Sequence, residues 1–312
     1  MFSLTDGRPI AKTDKPKPII LSIVDPDTIK TRKQQKSKKP TKPKVCCKWH
    51  DKMCRKEPCC KKCDLWEFEE ELDSENYSEE EDITQESSEE EEADVIGTSF
   101  DSKGKKLHPI PDLENRSIEY IAGPSGSGKS TIASELAMQF KNVFPNKPIY
   151  IFSRTDCRKD PAFAKLKPIQ IAVDESLIED PIDITQEITE GGCMMIFDDC
   201  QTIHNDKIKK EVDKLMSDAM EVGRKLNCNM IITNHLINPN EKKLGRTIMN
   251  EMNMLTVFPK SGSAHQIRYA LKTYWGMSNK QIDDVLAVKS RWLRISKTYP
   301  QYVLWENGAK IL

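Results

Sequence analysis

The chain has 312 residues and a formal net charge of −1, a balance that conceals three unlike segments. Residues 1–66 carry 18 Lys and Arg against 7 Asp and Glu, residues 67–94 carry 16 acidic residues and no basic ones, and residues 112–312 are near neutral with 27 basic and 25 acidic groups. No apolar run approaches the roughly 20 residues that a membrane-spanning helix needs, and the first 20 residues lack the apolar region of a secretory signal. The ten cysteines are therefore expected as thiols or metal ligands in a reducing, intracellular compartment.

In chain order, residues 1–44 read as a disordered basic arm. Its run TRKQQKSKKPTKPK (31–44) is Lys-rich and broken by proline, so it cannot bury a core. Such a run can grip a phosphate backbone, serve as a nuclear address, or simply solubilise. Residues 45–66 form a Cys-rich segment in which Cys46, Cys47, Cys54, Cys59, Cys60 and Cys63 surround His50. Thiolates and an imidazole at this spacing suit tetrahedral Zn²⁺, with Cys47, His50, Cys60 and Cys63 as one ligand set; a reactive or incidental cysteine cluster is the alternative. Residues 67–111 read as an acidic disordered linker that either folds back on the basic arm or stays solvated. Within it Ser74, Ser78, Ser87 and Ser88 lie in a context an acidophilic kinase accepts.

Residues 112–312 carry the chemistry. SIEYIA (117–122) is β-branched and apolar enough for a buried strand, and STIASELAMQF after it sets Ile132, Leu136 and Phe140 at helical spacing. Between them Gly123, Pro124, Ser125, Gly126, Ser127, Gly128, Lys129, Ser130 and Thr131 spell G-x-x-x-x-G-K-S followed by Thr, a P-loop in its confirming strand–turn–helix context. The glycines let successive N–H groups face phosphate oxygens, and the helix N-terminus adds positive potential. Lys129 is expected to reach the β- and γ-phosphates of ATP, and the Ser130 hydroxyl to ligate Mg²⁺.

A strand is predicted at KPIYIFS (147–153), a short helix at DPAFAKL (160–166) and an edge strand at PIQIAVD (168–174). GGCMMIFDDCQ (191–201) then delivers two carboxylates at the end of an apolar strand. Asp198 is the expected Mg²⁺ partner and Asp199 the expected general base for the attacking water. An amphipathic helix follows over 206–227, and a strand over 228–236 ends in Thr233, Asn234 and His235. A polar group on such an extra strand can sense the γ-phosphate, with Asn234 the first candidate and His235 the second. A further strand (253–259), two helices (263–275 and 278–289) and a hairpin-like pair (291–296 and 301–306) complete the reading, with Trp275, Trp292 and Trp305 expected in the core. The predicted fold class is α/β: a P-loop NTPase core whose mostly parallel sheet is flanked by helices, preceded by a disordered charged N-terminal region.

GPSGSGKST, IFDD and GRKLNCNMIITNHL in this order resemble the genome-packaging ATPases of large DNA viruses, similar to the poxvirus packaging ATPase, within the FtsK/HerA-type superfamily. The resemblance covers roughly residues 115–260. It implies an ATP-driven motor that forms a homo-oligomeric ring and translocates double-stranded DNA into a capsid. It also implies capsid or membrane-associated virion proteins as partners, and the cytoplasmic viral factory and virion as locations. Lys129 and Ser130, Asp198 and Asp199, and Asn234 or His235 take the family's functional positions. Two departures stand out: Asp199 replaces the Glu common at the second acid, and TNH stands where many relatives carry Gln. The arginine finger that such rings supply in trans falls on Arg224, with Arg154 and Arg246 as alternatives, and NPNEKKLGR (238–246) is a candidate pore-facing segment. An NTP-switched scaffold that binds a capsid protein, or a P-loop nucleotide kinase, are the competing functions.

Overall fold

The computed structural model describes residues 1–14, 18–25, 95–188, 191–239 and 242–312. The basic run 31–44, the acidic block 69–94 and the proposed zinc ligands Cys47, His50, Cys60 and Cys63 lie outside the described residues. Residues 1–25 and 92–312 belong to one compact unit.

The first finding departs from the expected disordered arm over 1–44 and linker over 67–111. Residues 1–25 contribute β1 (Phe2–Ser3), β2 (Arg8–Thr13) and β3 (Ile20–Ile23), and residues 95–109 contribute β4 (Val95–Gly97), β5 (Ser99–Asp101) and β6 (Leu107–Pro109). Five of these form a sheet in the order β4-β1-β3-β2-β6. The physical reason is burial: Phe2, Ile10, Ala11, Leu21, Ile23 and Leu107 share one apolar cluster with Ile132, Ala133, Leu136, Ala137 and Phe140 of the helix that follows the P-loop. His108 adds a polar link, its ring 2.6 Å from Asp14 and 3.6 Å from Glu135 on that helix. The folded domain therefore reaches back across the charged insert to the first residues.

The second sheet is the large one. β7 (Ile118–Ala122) leads into α1 (Lys129–Val143); β8 (Ile149–Ser153) and β9 (Ile169–Ala172) follow. Two short helices, α2 (Ser176–Glu179) and α3 (Ile184–Glu187), precede β10 (Cys193–Phe197). Then come α4 (Asp206–Glu221), β11 (Cys228–Asn234), α5 (Lys242–Glu251) and β12 (Met254–Val257). The chain closes through α6 (Ala264–Tyr274), α7 (Asn279–Leu286), β13 (Leu293–Ser296), β14 (Tyr302–Trp305) and β15 (Gly308–Ile311). The sheet order is β5-β15-β14-β13-β12-β7-β11-β10-β8-β9. The strands from β12 to β9 run parallel to their neighbours, and those from β13 to β5 pair antiparallel.

Alternation along the parallel strands divides the core into two layers, because successive side chains point to opposite faces. Tyr120, Met195, Phe197, Met230 and Ile232 pack with Ile208, Val212, Leu215 and Ala219 of α4. Ile121, Met194, Ile196 and Ile231 face the layer of α1 and the N-terminal strands. Trp275 and Trp292 are buried and Trp305 half-buried, in keeping with a packing role.

Three local expectations change. Residues 160–166 form turns after a short 3₁₀ segment at Cys157–Lys159 rather than a helix. α4 stops at Glu221 because the chain turns at Gly223, where a Cβ would meet the Ala219 carbonyl oxygen at 2.1 Å, and again at Asn227 with φ 51°. The stretch read as a pore-facing segment runs into α5, whose exposed side includes Lys243 and Arg246.

One ion pair ties the antiparallel half to the P-loop strand. Arg294 on β13 donates through Nε and Nη2 to the two carboxylate oxygens of Glu119 on β7 at 3.1 and 2.5 Å, across β12, and Ser117 Oγ donates to the same carboxylate at 3.1 Å. The two side chains are 0% and 1% exposed. Removing one member of such a pair strands the other charge, so Glu119→Ala should lower the free energy of unfolding by about 3–5 kcal/mol. Urea titration monitored by tryptophan fluorescence would show this as a lower midpoint with an unchanged slope.

Candidate nucleotide-binding site

The P-loop is shaped by its glycines and held from both flanks. Gly126 and Gly128 have φ values of 74° and 111°, in the left-handed region that other residues rarely adopt. A Cβ on Gly126 would meet nothing within 4 Å, so the crest of the loop is open for a ligand. Gly123 donates its N–H to the Asn234 carbonyl at 3.0 Å, tying the loop to the end of β11. On the other flank the Phe258 ring lies 2.6 Å from where a Gly123 Cβ would stand.

Lys129 opens α1 and is 6% exposed, yet its ammonium is not alone. Nζ lies 3.6 Å from Asp199 Oδ1 and 3.4 Å from His235 Nδ1. His235 Nε2 lies 3.4 Å from Asp199 Oδ2, which closes a triangle of Lys129, Asp199 and His235. Lys129 follows β7 by way of the P-loop, Asp199 follows β10 and His235 follows β11, and those strand ends are brought level by the register that pairs Phe197 with Ile232 and Asn234 with Ala122.

Asp199 has φ 48°, a left-handed conformation that costs a non-glycine residue roughly 1–3 kcal/mol. Contacts around it sustain the strain. Its N–H donates to Thr233 Oγ1 at 2.9 Å, and that hydroxyl donates in turn to Asp198 Oδ1 at 2.9 Å. The Asp199 carbonyl accepts the Thr202 hydroxyl at 2.9 Å. Burial raises the Asp198 carboxyl above the usual carboxylate range, with Asp199 and Asp160 adding to the rise; the Thr233 hydrogen bond and Lys129 oppose it.

The predicted site residues divide accordingly. Lys129, Asp198 and Asp199 converge, with half-buried Ser130 and exposed Thr131 on the first turn of α1. Asn234 does not join them through the contact its side chain makes: its Oδ1 accepts the Leu236 N–H at 3.0 Å. His235, the second sensor candidate, lies against Lys129 and Asp199, and Thr233, which had no assigned role, joins the two acids. The three arginines are all exposed: Arg154, just past β8, donates to the Thr202 carbonyl at 2.8 Å, Arg224 follows α4 and Arg246 lies on α5. Arg291 was not foreseen. Its Nε and Nη2 donate to the Ser127 carbonyl at 3.2 and 3.1 Å, a contact 164 positions apart in sequence with no local motif to announce it.

The P-loop, the acids at the end of β10 and the interposed β11 define a P-loop NTPase core of the class in which an extra strand separates the two motifs. No family model matches the chain. Over 207 residues it is 42% identical to the uncharacterized protein V3 of Sputnik virophage, a match spanning 66% of this chain and 82% of V3. The chain belongs to the same protein family as V3. Similar solved structures include B204, the DNA-packaging ATPase from Sulfolobus turreted icosahedral virus, at 11% identity and TM-score 0.46, covering 62% of this chain and 98% of that one. The pCW3 conjugation coupling protein TcpA, solved with ATPγS, matches at 17% identity and TM-score 0.44, covering 67% and 66%.

Thr233→Val deletes the hydrogen bond that holds the Asp198 carboxyl down. The carboxyl should then rise further, and the acid limb of nucleotide binding, measured with Mg²⁺ present, should move to higher pH. A binding titration from pH 4 to 8 on both proteins measures the displacement.

Proposed function

We propose that this chain is a Mg²⁺-dependent ATPase that moves double-stranded DNA during virus particle assembly. The observation that carries the reading is the buried Lys129 ammonium shared between Asp199 and His235, at the edge where the P-loop and the two-acid strand end together. The P-loop amides and Lys129 bind the β- and γ-phosphates. Ser130 and Asp198, both oxygen donors, would hold Mg²⁺, which would supply positive charge to the β- and γ-phosphates.

An arriving γ-phosphate takes over from Asp199 as the partner of Lys129. Asp199 is thereby released to accept a proton from the attacking water, and His235, within reach of both side chains, marks whether the γ-phosphate is present. Asp is a methylene shorter than the Glu common at this position, and the left-handed backbone at Asp199 changes the direction from which the carboxylate approaches. An arginine supplied in trans must be free to reach a neighbour, and Arg224, Arg154 and Arg246 are all exposed; Arg154 is held beside this chain's own acids, which leaves Arg224 the first candidate for a neighbouring subunit's site.

The DNA substrate, a ring assembly, capsid or virion-membrane partners and a place in the viral factory or virion rest on the resemblance of the motifs and on membership in a family with a virophage protein. Among the described residues no helix is long and apolar enough to cross a membrane.

The test is ATP turnover by the purified full-length chain with and without linear double-stranded DNA. Lys129→Ala should cut turnover by about 10²-fold or more, Asp199→Asn should retain ATP binding while losing hydrolysis, and DNA should stimulate the wild type. Turnover indifferent to DNA would favour the NTP-switched scaffold instead.

A further inference from the structure

The groups described so far account for the phosphate end of a nucleotide and leave its nucleoside without a partner. The direction in which the nucleotide lies follows from the site. Lys129, Asp199 and His235 fix the γ-end toward β11 and β10, so a triphosphate laid over the P-loop emerges on the opposite flank, where β12 and β13 follow β7 in the sheet.

That flank is built. The buried Phe258 ring, just past β12, lies 3.7 Å from where a Gly128 Cβ would stand and backs the loop. The Arg291 guanidinium stands beside it, with Nη2 3.1 Å from the same point. Two of its nitrogens are anchored on the Ser127 carbonyl. The residue's own N–H donates to Glu306 Oε2 at 3.1 Å, and that carboxylate also accepts the Ser290 hydroxyl at 3.2 Å. Arg291 is nonetheless exposed. Its plane is therefore held in position beside the open loop, with Nη1 unpartnered among the described residues.

We infer that Arg291 is the nucleoside-recognition residue of this site, its pre-positioned guanidinium stacking on the base of the bound nucleotide while Phe258 supports the loop from behind. The inference rests on the ATPase reading above and deepens it. Guanidinium planes stack favourably on aromatic systems, and an arginine already fixed by two hydrogen bonds loses little further freedom in doing so. A lysine carries the same charge without the plane.

Calorimetric binding of ATP and of inorganic tripolyphosphate to the full-length wild type, Arg291→Ala and Arg291→Lys tests this, because tripolyphosphate occupies the P-loop without a base. Arg291→Ala should weaken ATP about 5- to 30-fold and leave tripolyphosphate within about twofold, and Arg291→Lys should not restore ATP affinity. Retained tripolyphosphate binding also reports that the variant loop is intact. Equal weakening of both ligands would reduce Arg291 to a strut for the P-loop and overturn the inference, as would rescue by lysine. Unchanged ATP binding in Arg291→Ala would overturn it alone, whereas a wild type that binds neither ligand would overturn the ATPase reading with it.

Discussion

A lysine ammonium that is 6% exposed must find negative charge, because taking a cation out of water costs several kcal/mol unless it is paired. Much of this structure answers that requirement. Lys129 is placed at the start of α1 by the P-loop turn, and its countercharge comes from a strand two positions away in the sheet, with β11 between. The ends of β7, β11 and β10 must be level for the pairing to occur, and their register makes them so. On the proposed mechanism the same arrangement makes the site responsive: the carboxylate that neutralises Lys129 is the group assigned to water activation, so the phosphate that displaces it also frees it.

The scaffold around this charge is rigid on both sides. One face of the parallel strands is covered by α4, and the other by α1, which lies under the strands of residues 1–25 and 95–109. The N-terminal strands thus stabilise the helix that carries Lys129 and Ser130. Along the sheet, across β12, the buried Arg294–Glu119 pair joins the antiparallel strands to β7. It connects the hairpin next to Arg291 with the strand that leads into the P-loop. The phosphate end and the inferred nucleoside end of the site are in this way carried by one sheet.

What could be read in the sequence was what is local. The P-loop, the two acids ending an apolar strand, the helices after 263 and 278 and the edge position of β9 each depend on a few consecutive residues. Continuous apolar runs also told the buried strands apart from the amphipathic α4. The failures share a cause. β1 pairs Phe2 with Gly97, and β2 pairs Lys12 with His108, contacts spanning the whole charged insert, so composition over 1–44 masked six-residue and shorter strands within it. At the strand end the sequence favours Asn234 and gives Thr233 no role, and only the structure shows which side each takes: Thr233 to the acids, Asn234 to the Leu236 amide. Arg291 lay beyond sequence reasoning because its position comes from β13 standing beside β12, one strand away from β7.

The most direct measurement is a crystal structure of the chain with Mg²⁺ and a non-hydrolysable ATP analogue. The account predicts the γ-phosphate between Lys129 Nζ and His235, with Asp199 turned away from the lysine toward a water. A nucleotide bound elsewhere, or one whose γ-phosphate leaves the Lys129–Asp199 pair intact, would contradict it.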